Sequence, residues 1–168
     1  MTVIVYSQGI IAADSMVTQG DLCTGFTRKI TRNAKGDLAG ASGGAGWMRD
    51  FLLWFEEGEQ GEMPSLSYAD ADATDAAMII RATDPGKAWH LCSNPKYAAN
   101  WYTVNQLNGC AIGSGKAEAK GALFAGADAI TAVKAAIALD NSCGGDIIAI
   151  PHAGPERLIV APKWADEK

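Results

Sequence analysis

Metal-ligating residues are scarce in this sequence. Two histidines (His90, His152) and four cysteines (Cys23, Cys92, Cys110, Cys143) are scattered along 168 residues with no CxxC pair. That spacing argues against a zinc centre and against a disulfide framework, and it fits the reduced thiols of a cytoplasmic protein. Cys92 and Cys110 then read as small buried hydrophobes. No apolar run approaches the roughly 20 residues of a membrane span. The opening Met-Thr-Val-Ile-Val-Tyr has neither the basic nor the hydrophobic region of a secretory leader. An excess of positive charge is missing too: 14 Lys and Arg stand against 19 Asp and Glu, for a net charge of −5. This balance argues against nucleic acid or an anionic membrane surface as the main partner. Internal repeats, low-complexity tracts and linkers are absent, so one domain is expected over residues 1–168, with no cofactor and no metal. A chain of this length buries roughly two-thirds of the surface its unfolded form exposes, enough to fold unaided.

What is present is a series of short apolar runs punctuated by glycine. Thr2–Tyr6 is β-branched and aromatic throughout, and Ser7-Gln8-Gly9 turns it into Ile10–Asp14. A second hairpin is expected from Phe26–Arg32, a turn at Asn33–Gly36 and Leu38–Ala41. Trp47, Phe51, Leu52, Trp54 and Phe55 then recur at helical spacing up to Glu56-Glu57-Gly58. Residues 58–75 are acidic, carry Gly, Pro and Ser and show no period, the composition of a loop. Ala76–Ala82 and Ala88–Cys92 flank a turn at Asp84-Pro85-Gly86-Lys87. Residues 93–108 have no clear period. Cys110–Ile112 is a strand, Lys116–Ala125 and Asp128–Leu139 are Ala-rich helices, and Asp146–Ile150 and Arg157–Ala161 are closing strands. Hairpins with helices collected between them predict antiparallel sheets covered by helices, an α+β domain.

Two glycine-rich motifs carry little chemistry. Gly113-Ser114-Gly115-Lys116 imitates a phosphate loop, but that loop needs Gly at position 110 and Ser or Thr at 117, where Cys110 and Ala117 stand. Gly40-Ala41-Ser42-Gly43-Gly44 fits G-x-S-x-G between a strand and a helix, which would make Ser42 a nucleophile served by His152. That elbow belongs on a mostly parallel sheet, so a plain tight turn is the better reading.

Thr2 follows the initiator Met, and threonine is small enough for that Met to be removed. A free Thr2 would carry an α-amine, titrating near 7.7–8.0, beside its own hydroxyl. Such an amine can take the hydroxyl proton without a histidine. The blocks around it resemble the proteasome β-subunit family, in particular the bacterial ring peptidase driven by an ATP-dependent unfoldase and its short phage and prophage relatives. The resemblance covers nearly the whole chain. It lies in Thr2–Tyr6 with Gly9–Asp14, in Arg28-Lys29-Ile30, in Ala39–Gly44, and in Ala111–Gly115 with Asp140–Gly145.

The resemblance implies a four-layer αββα N-terminal-nucleophile hydrolase sandwich of two antiparallel sheets, acting as a threonine-type peptidase in a homo-oligomeric ring. Thr2 Oγ would attack the scissile carbonyl, and Lys29, held by Asp14, would ease deprotonation. The Gly43 amide would stabilise the oxyanion, while Ser114 and Asp140 would orient the amine and the attacking water. Cys143 and Gly144 would support them, with Cys143 a weaker hydrogen-bond partner than the serine usual there. Ala41 would line the specificity pocket. Peptide or unfolded protein would be the substrate and an ATP-dependent unfoldase a partner. Residues 58–75 are too short and polar for the family's second long helix, and residues 93–108 exceed its loop. Two other functions stay open: a non-catalytic ring subunit, and an amidase acting on small molecules.

Overall fold

Val3, Ile4, Val5 and Tyr6 are each at most 1% exposed, so the first strand, β1 (Val3–Ser7), is covered on both faces. This explains why it reads as a continuous apolar run rather than an alternation. The structure, a computed structural model, describes residues 2–20, 22–64, 76–92, 100–103 and 108–160. After β1 come β2 (Ile10–Ala13), β3 (Met16–Gln19), β4 (Leu22–Phe26), β5 (Ile30–Arg32) and β6 (Leu38–Ser42). Helix α1 (Ala45–Glu56) precedes β7 (Ala76–Ile80), β8 (Lys87–Cys92), β9 (Asn100–Thr103) and β10 (Cys110–Gly113). Helices α2 (Lys116–Phe124) and α3 (Ala129–Leu139) lead to β11 (Ile147–Pro151) and β12 (Arg157–Ile159).

The fold is α+β. Two five-stranded sheets, ordered β10-β1-β2-β11-β12 and β5-β6-β7-β8-β9, accompany a separate two-stranded ribbon β3-β4. Every pairing among the described residues is antiparallel. Val3 and Val5 share a buried cluster with Leu123 of α2 and Val133 and Ile137 of α3. Ile4 and Tyr6, on the opposite face of β1, share another with Ile30, Leu38, Met78 and Ala88 of the second sheet. Ala39, Ala77 and Ile79 of that sheet join Trp47, Phe51 and Phe55 of α1 in a third. Burying a side chain such as Phe51 stabilises the fold by about 1.5–3 kcal/mol. The approach of β1 to β6 is close enough to require glycine: a Cβ on Gly40 would lie 2.8 Å from Ile4 Cγ2. Among the described residues, no helix is long and apolar enough to cross a membrane.

The expected strands and helices appear with boundaries moved by a few residues, and one hairpin is reassigned. Phe26 does not open the second hairpin; it ends β4, whose partner β3 has no counterpart in the sequence reading. The β3-β4 ribbon buries none of its side chains fully and so shows no core-facing period. Lys29 lies just before β5 rather than within a strand. The loop expected over 58–75 and the ambiguous 93–108 lie partly outside the described residues.

Candidate active site

Thr2 sits at the end of β1, and the register of the sheet fixes its neighbours. Val3 pairs with Gly113 on one side and Ile4 with Ala13 on the other. The chain leaving β10 therefore brings Ser114 to Thr2, and the chain leaving β2 brings Asp14. Gly113 has φ +95°, and a Cβ there would lie 2.1 Å from the Thr2 carbonyl oxygen. Only glycine fits so close to the backbone in that conformation.

On the β2 side, one buried carboxylate gathers three donors. Asp14 Oδ1 accepts from the Val3 amide at 2.9 Å and from Lys29 Nζ at 2.8 Å, and Oδ2 accepts from the Gly144 amide at 3.1 Å. Lys29 Nζ also donates to the Met16 carbonyl at 2.6 Å. Both side chains of the ion pair are 1% exposed or less. A lysine alone on a loop is ordinarily a solvated surface group, and burial without a partner would be costly. Burial pushes the Asp14 carboxyl above its ordinary value; the charge and hydrogen bond of Lys29 and the amides of Val3 and Gly144 work against that push.

On the β10 side, the contacts are hydroxyls. Ser114 Oγ accepts from the Thr2 backbone nitrogen at 3.1 Å and lies 3.2 Å from the Thr2 carbonyl oxygen. The Gly115 amide donates to that same carbonyl at 3.3 Å. Ser114 Oγ is 3.1 Å from Ser142 Oγ, which donates to Asp140 Oδ1 at 2.5 Å, as does the Ser142 amide at 2.8 Å. Burial works against the Asp140 carboxylate. Hydrogen bonds from the Ser142 hydroxyl and amide, with those of Cys143 and Ser114, outweigh it and hold the group below the usual carboxylate range.

Cys143 is buried, with its thiol 3.4 Å from Asp140 Oδ2 and 3.8 Å from Ser114 Oγ. Burial, reinforced by the charges of Asp14 and Asp140, pushes this thiol up to about 12. It therefore stays protonated at neutral pH and acts as a weak donor. The resemblance assigns the supporting role to Cys143, where the family has serine, and none to Ser142, one residue earlier. The signal was available: Asp140-Asn141-Ser142 has the spacing at which an Asp side chain bonds the backbone two residues on.

The expected residues thus form two hydrogen-bonded groups at the end of β1, Asp14 with Lys29 and Gly144, and Thr2 with Ser114, Asp140 and Cys143, joined through the Thr2–Val3 and Cys143–Gly144 peptide bonds. Ala41 stands one step away. The Ala41 amide donates to the Lys29 carbonyl at 3.0 Å, which ties the end of β6 to Lys29. The Ala41 side chain is fully buried in the cluster shared with α1. Gly43, exposed, has φ +139° where the chain turns into α1. Trp47 and Phe51 stack in that same α1 cluster, with ring centroids 5.3 Å apart.

The Ser42–His152 pair required by the elbow motif is not formed. His152 engages the Gly36 carbonyl at 2.8 Å through Nδ1 and Tyr6 Oη at 3.1 Å through Nε2. Gly36 precedes β6 and Ser42 ends it, so the two residues of the would-be pair belong to opposite ends of that strand. Ser42 is also buried. Among the described residues, no group of three or more His, Cys, Asp or Glu side chains could hold a metal ion. No protein-family model matches this sequence, and no curated protein shows significant similarity to it.

Proposed function

We propose that the protein is a threonine-type peptidase of the proteasome β-subunit kind, with Thr2 as the N-terminal nucleophile after removal of Met1. The observation that carries this reading is the Asp14 carboxylate, which bonds the amide next to Thr2 and the buried Lys29 ammonium through a single oxygen. A buried ion pair is weak as a stabilising device, whereas a cation fixed at the end of β1 would, next to a free Thr2, lower the cost of deprotonating its hydroxyl and amine. The four-layer αββα sandwich belongs to the same proposal. Three separate clusters favour it: α2 and α3 against the first sheet, sheet against sheet, and α1 against the second sheet.

In the proposed reaction, Thr2 Oγ attacks the peptide carbonyl carbon while its proton passes to the Thr2 α-amine. The tetrahedral oxyanion is stabilised by the Gly43 amide, a donor type worth about 3–4 kcal/mol of barrier. The C–N bond then breaks, the amine proton leaves with the new amino terminus, and an ester to Thr2 remains. Water, deprotonated by the α-amine, attacks that ester and releases the acid, restoring the Thr2 hydroxyl. Peptides or unfolded proteins are the substrate class. A homo-oligomeric ring, and an ATP-dependent unfoldase to feed it, complete the proposal.

Hydrolysis of fluorogenic peptides compared with small-molecule amides tests the substrate class. Peptide cleavage that vanishes in Thr2→Ala is the expected result. Cleavage of small amides alone would make the protein an amidase, and retained Met1 with no hydrolysis would make it a non-catalytic subunit.

A further inference from the structure

The hydroxyls beside Thr2 carry their protons in one direction. Asp140 can only accept, so Ser142 commits its hydroxyl proton to Asp140 Oδ1 at 2.5 Å. At the 3.1 Å contact between the two serines, Ser142 Oγ is left as acceptor, so a proton shared there comes from Ser114. Two other acceptors lie within reach of the Ser114 proton: the Thr2 carbonyl at 3.2 Å, already served by the Gly115 amide at 3.3 Å, and the Asp140 carboxylate, which also takes the protons of Ser142 and Cys143. Ser114 Oγ then presents a lone pair to the Thr2 nitrogen, from which it accepts at 3.1 Å.

We infer that Ser142 is a positioning residue: its hydroxyl bridges Asp140 and Ser114 beside Ser114's own bond to Asp140, and so aims the Ser114 oxygen at the nitrogen of Thr2. The inference rests on the reading of Thr2 as nucleophile, and adds the residue that holds the base in place. Cys143 does not do this work, since its thiol is 3.8 Å from Ser114 Oγ and is the weaker donor. The Ser142 amide and hydroxyl both bond the same oxygen of Asp140, so the turn after α3 holds Ser142 on Asp140 whatever happens at Thr2.

The relay also bears on the charge of the amine. Asp14 and Lys29 flank the end of β1 on one side; Asp140 and Cys143 flank Ser114 on the other, and the exposed Lys116 opens α2 two residues beyond. In the proposed site the Lys29 charge would disfavour the ammonium form of Thr2. A hydroxyl chain anchored on the Asp140 carboxylate favours it, because polarised acceptors stabilise a cationic donor. Cutting the chain at Ser142 should therefore loosen the amine and lower the pH at which it deprotonates.

The test is the pH dependence of adduct formation between Thr2 and a peptide β-lactone, followed by intact mass in the full-length protein. Ser142→Ala should react on the order of tenfold more slowly at its plateau, the effect of one lost hydrogen bond to a charged network. The midpoint of its acid limb should move down by roughly half a pH unit. Ser142→Thr, which keeps the hydroxyl, should restore both. Asp140→Asn should shift the midpoint the same way and serves if Ser142→Ala fails to fold. A Ser142→Ala or Asp140→Asn protein with the wild-type midpoint, slowed or not, overturns the relay. A wild-type protein that forms no Thr2 adduct overturns the nucleophile reading and the relay with it.

Discussion

Lys29 and Asp14 form a buried ion pair, Nζ to Oδ1 2.8 Å, on the same carboxylate oxygen that bonds the amide of Val3. Two charges with no solvent around them are tolerated only when both are paired and hydrogen-bonded. The Met16 carbonyl and the amides of Val3 and Gly144 supply those further bonds. The pair is thus committed to the end of β1, where Thr2 begins.

Removing one member should unbalance the other. Lys29→Ala leaves the Asp14 charge buried without its cation, and the expected cost is about 3–5 kcal/mol of folding free energy. Urea unfolding monitored by tryptophan fluorescence measures it. A loss below about 1 kcal/mol, the range of an exposed pair, would contradict the buried geometry.

Gly113 should tolerate no side chain. With φ +95° and the Thr2 carbonyl 2.1 Å from where a Cβ would sit, Gly113→Ala must displace the start of β1. The expected cost is at least about 2 kcal/mol of strain, together with loss of Thr2 reactivity. A Gly113→Ala protein with unchanged melting temperature and unchanged electrophile labelling would refute the placement of Thr2 against Gly113.

Acid should weaken the fold with a definite sign. Burial opposes the Asp37 carboxylate, but the Ala82 amide, Arg81 and Asn33 hold it below the usual carboxylate range, as Asp140 is held by its own donors. Groups with lowered folded values stabilise the protein fully above the ordinary carboxylate value of about 3.9 and lose that contribution as pH falls through the folded value. Asp14, raised by burial, carries the opposite sign. Urea midpoints should hold from neutral pH to about 5 and fall below about 4. Asp37→Asn should be less stable at neutral pH and show a shallower fall; an equally steep fall would count against the role of Asp37.

Ser42 offers a control on the nucleophile. It is buried and has no link to His152, whose ring nitrogens serve Gly36 and Tyr6. Ser42→Ala should keep electrophile labelling and Thr2→Ala should abolish it, as read by peptide mapping of the adduct. The reverse pattern would move the nucleophile to Ser42.

Much of this arrangement was legible in the sequence because its elements are apolar and bounded by turns. β1, β2, β7 and β10 announce themselves as short β-branched or small apolar runs, and α1 by aromatics at helical spacing. The β3-β4 ribbon escaped notice because Leu22 and Phe26 are exposed, 70% and 68%, and its remaining residues obey no burial period. The burial of Lys29 follows from no local pattern: its partner Asp14, which the family resemblance implies, lies 15 residues away in sequence and is brought close by β2 and the chain before β5. Ser142 is not marked by the family pattern, which has its serine one position later, where this chain has Cys143. A thiol there pairs poorly, and the hydroxyl that touches both Ser114 and Asp140 comes from the preceding residue.

The central claim, a free and reactive Thr2, is tested most directly by the intact mass of the purified protein before and after a peptide epoxyketone, whose morpholine adduct requires both the hydroxyl and the α-amine of one residue. The account predicts a starting mass lacking Met1 and a single adduct that Thr2→Ala abolishes. A starting mass that retains Met1, with no adduct formed, would contradict it.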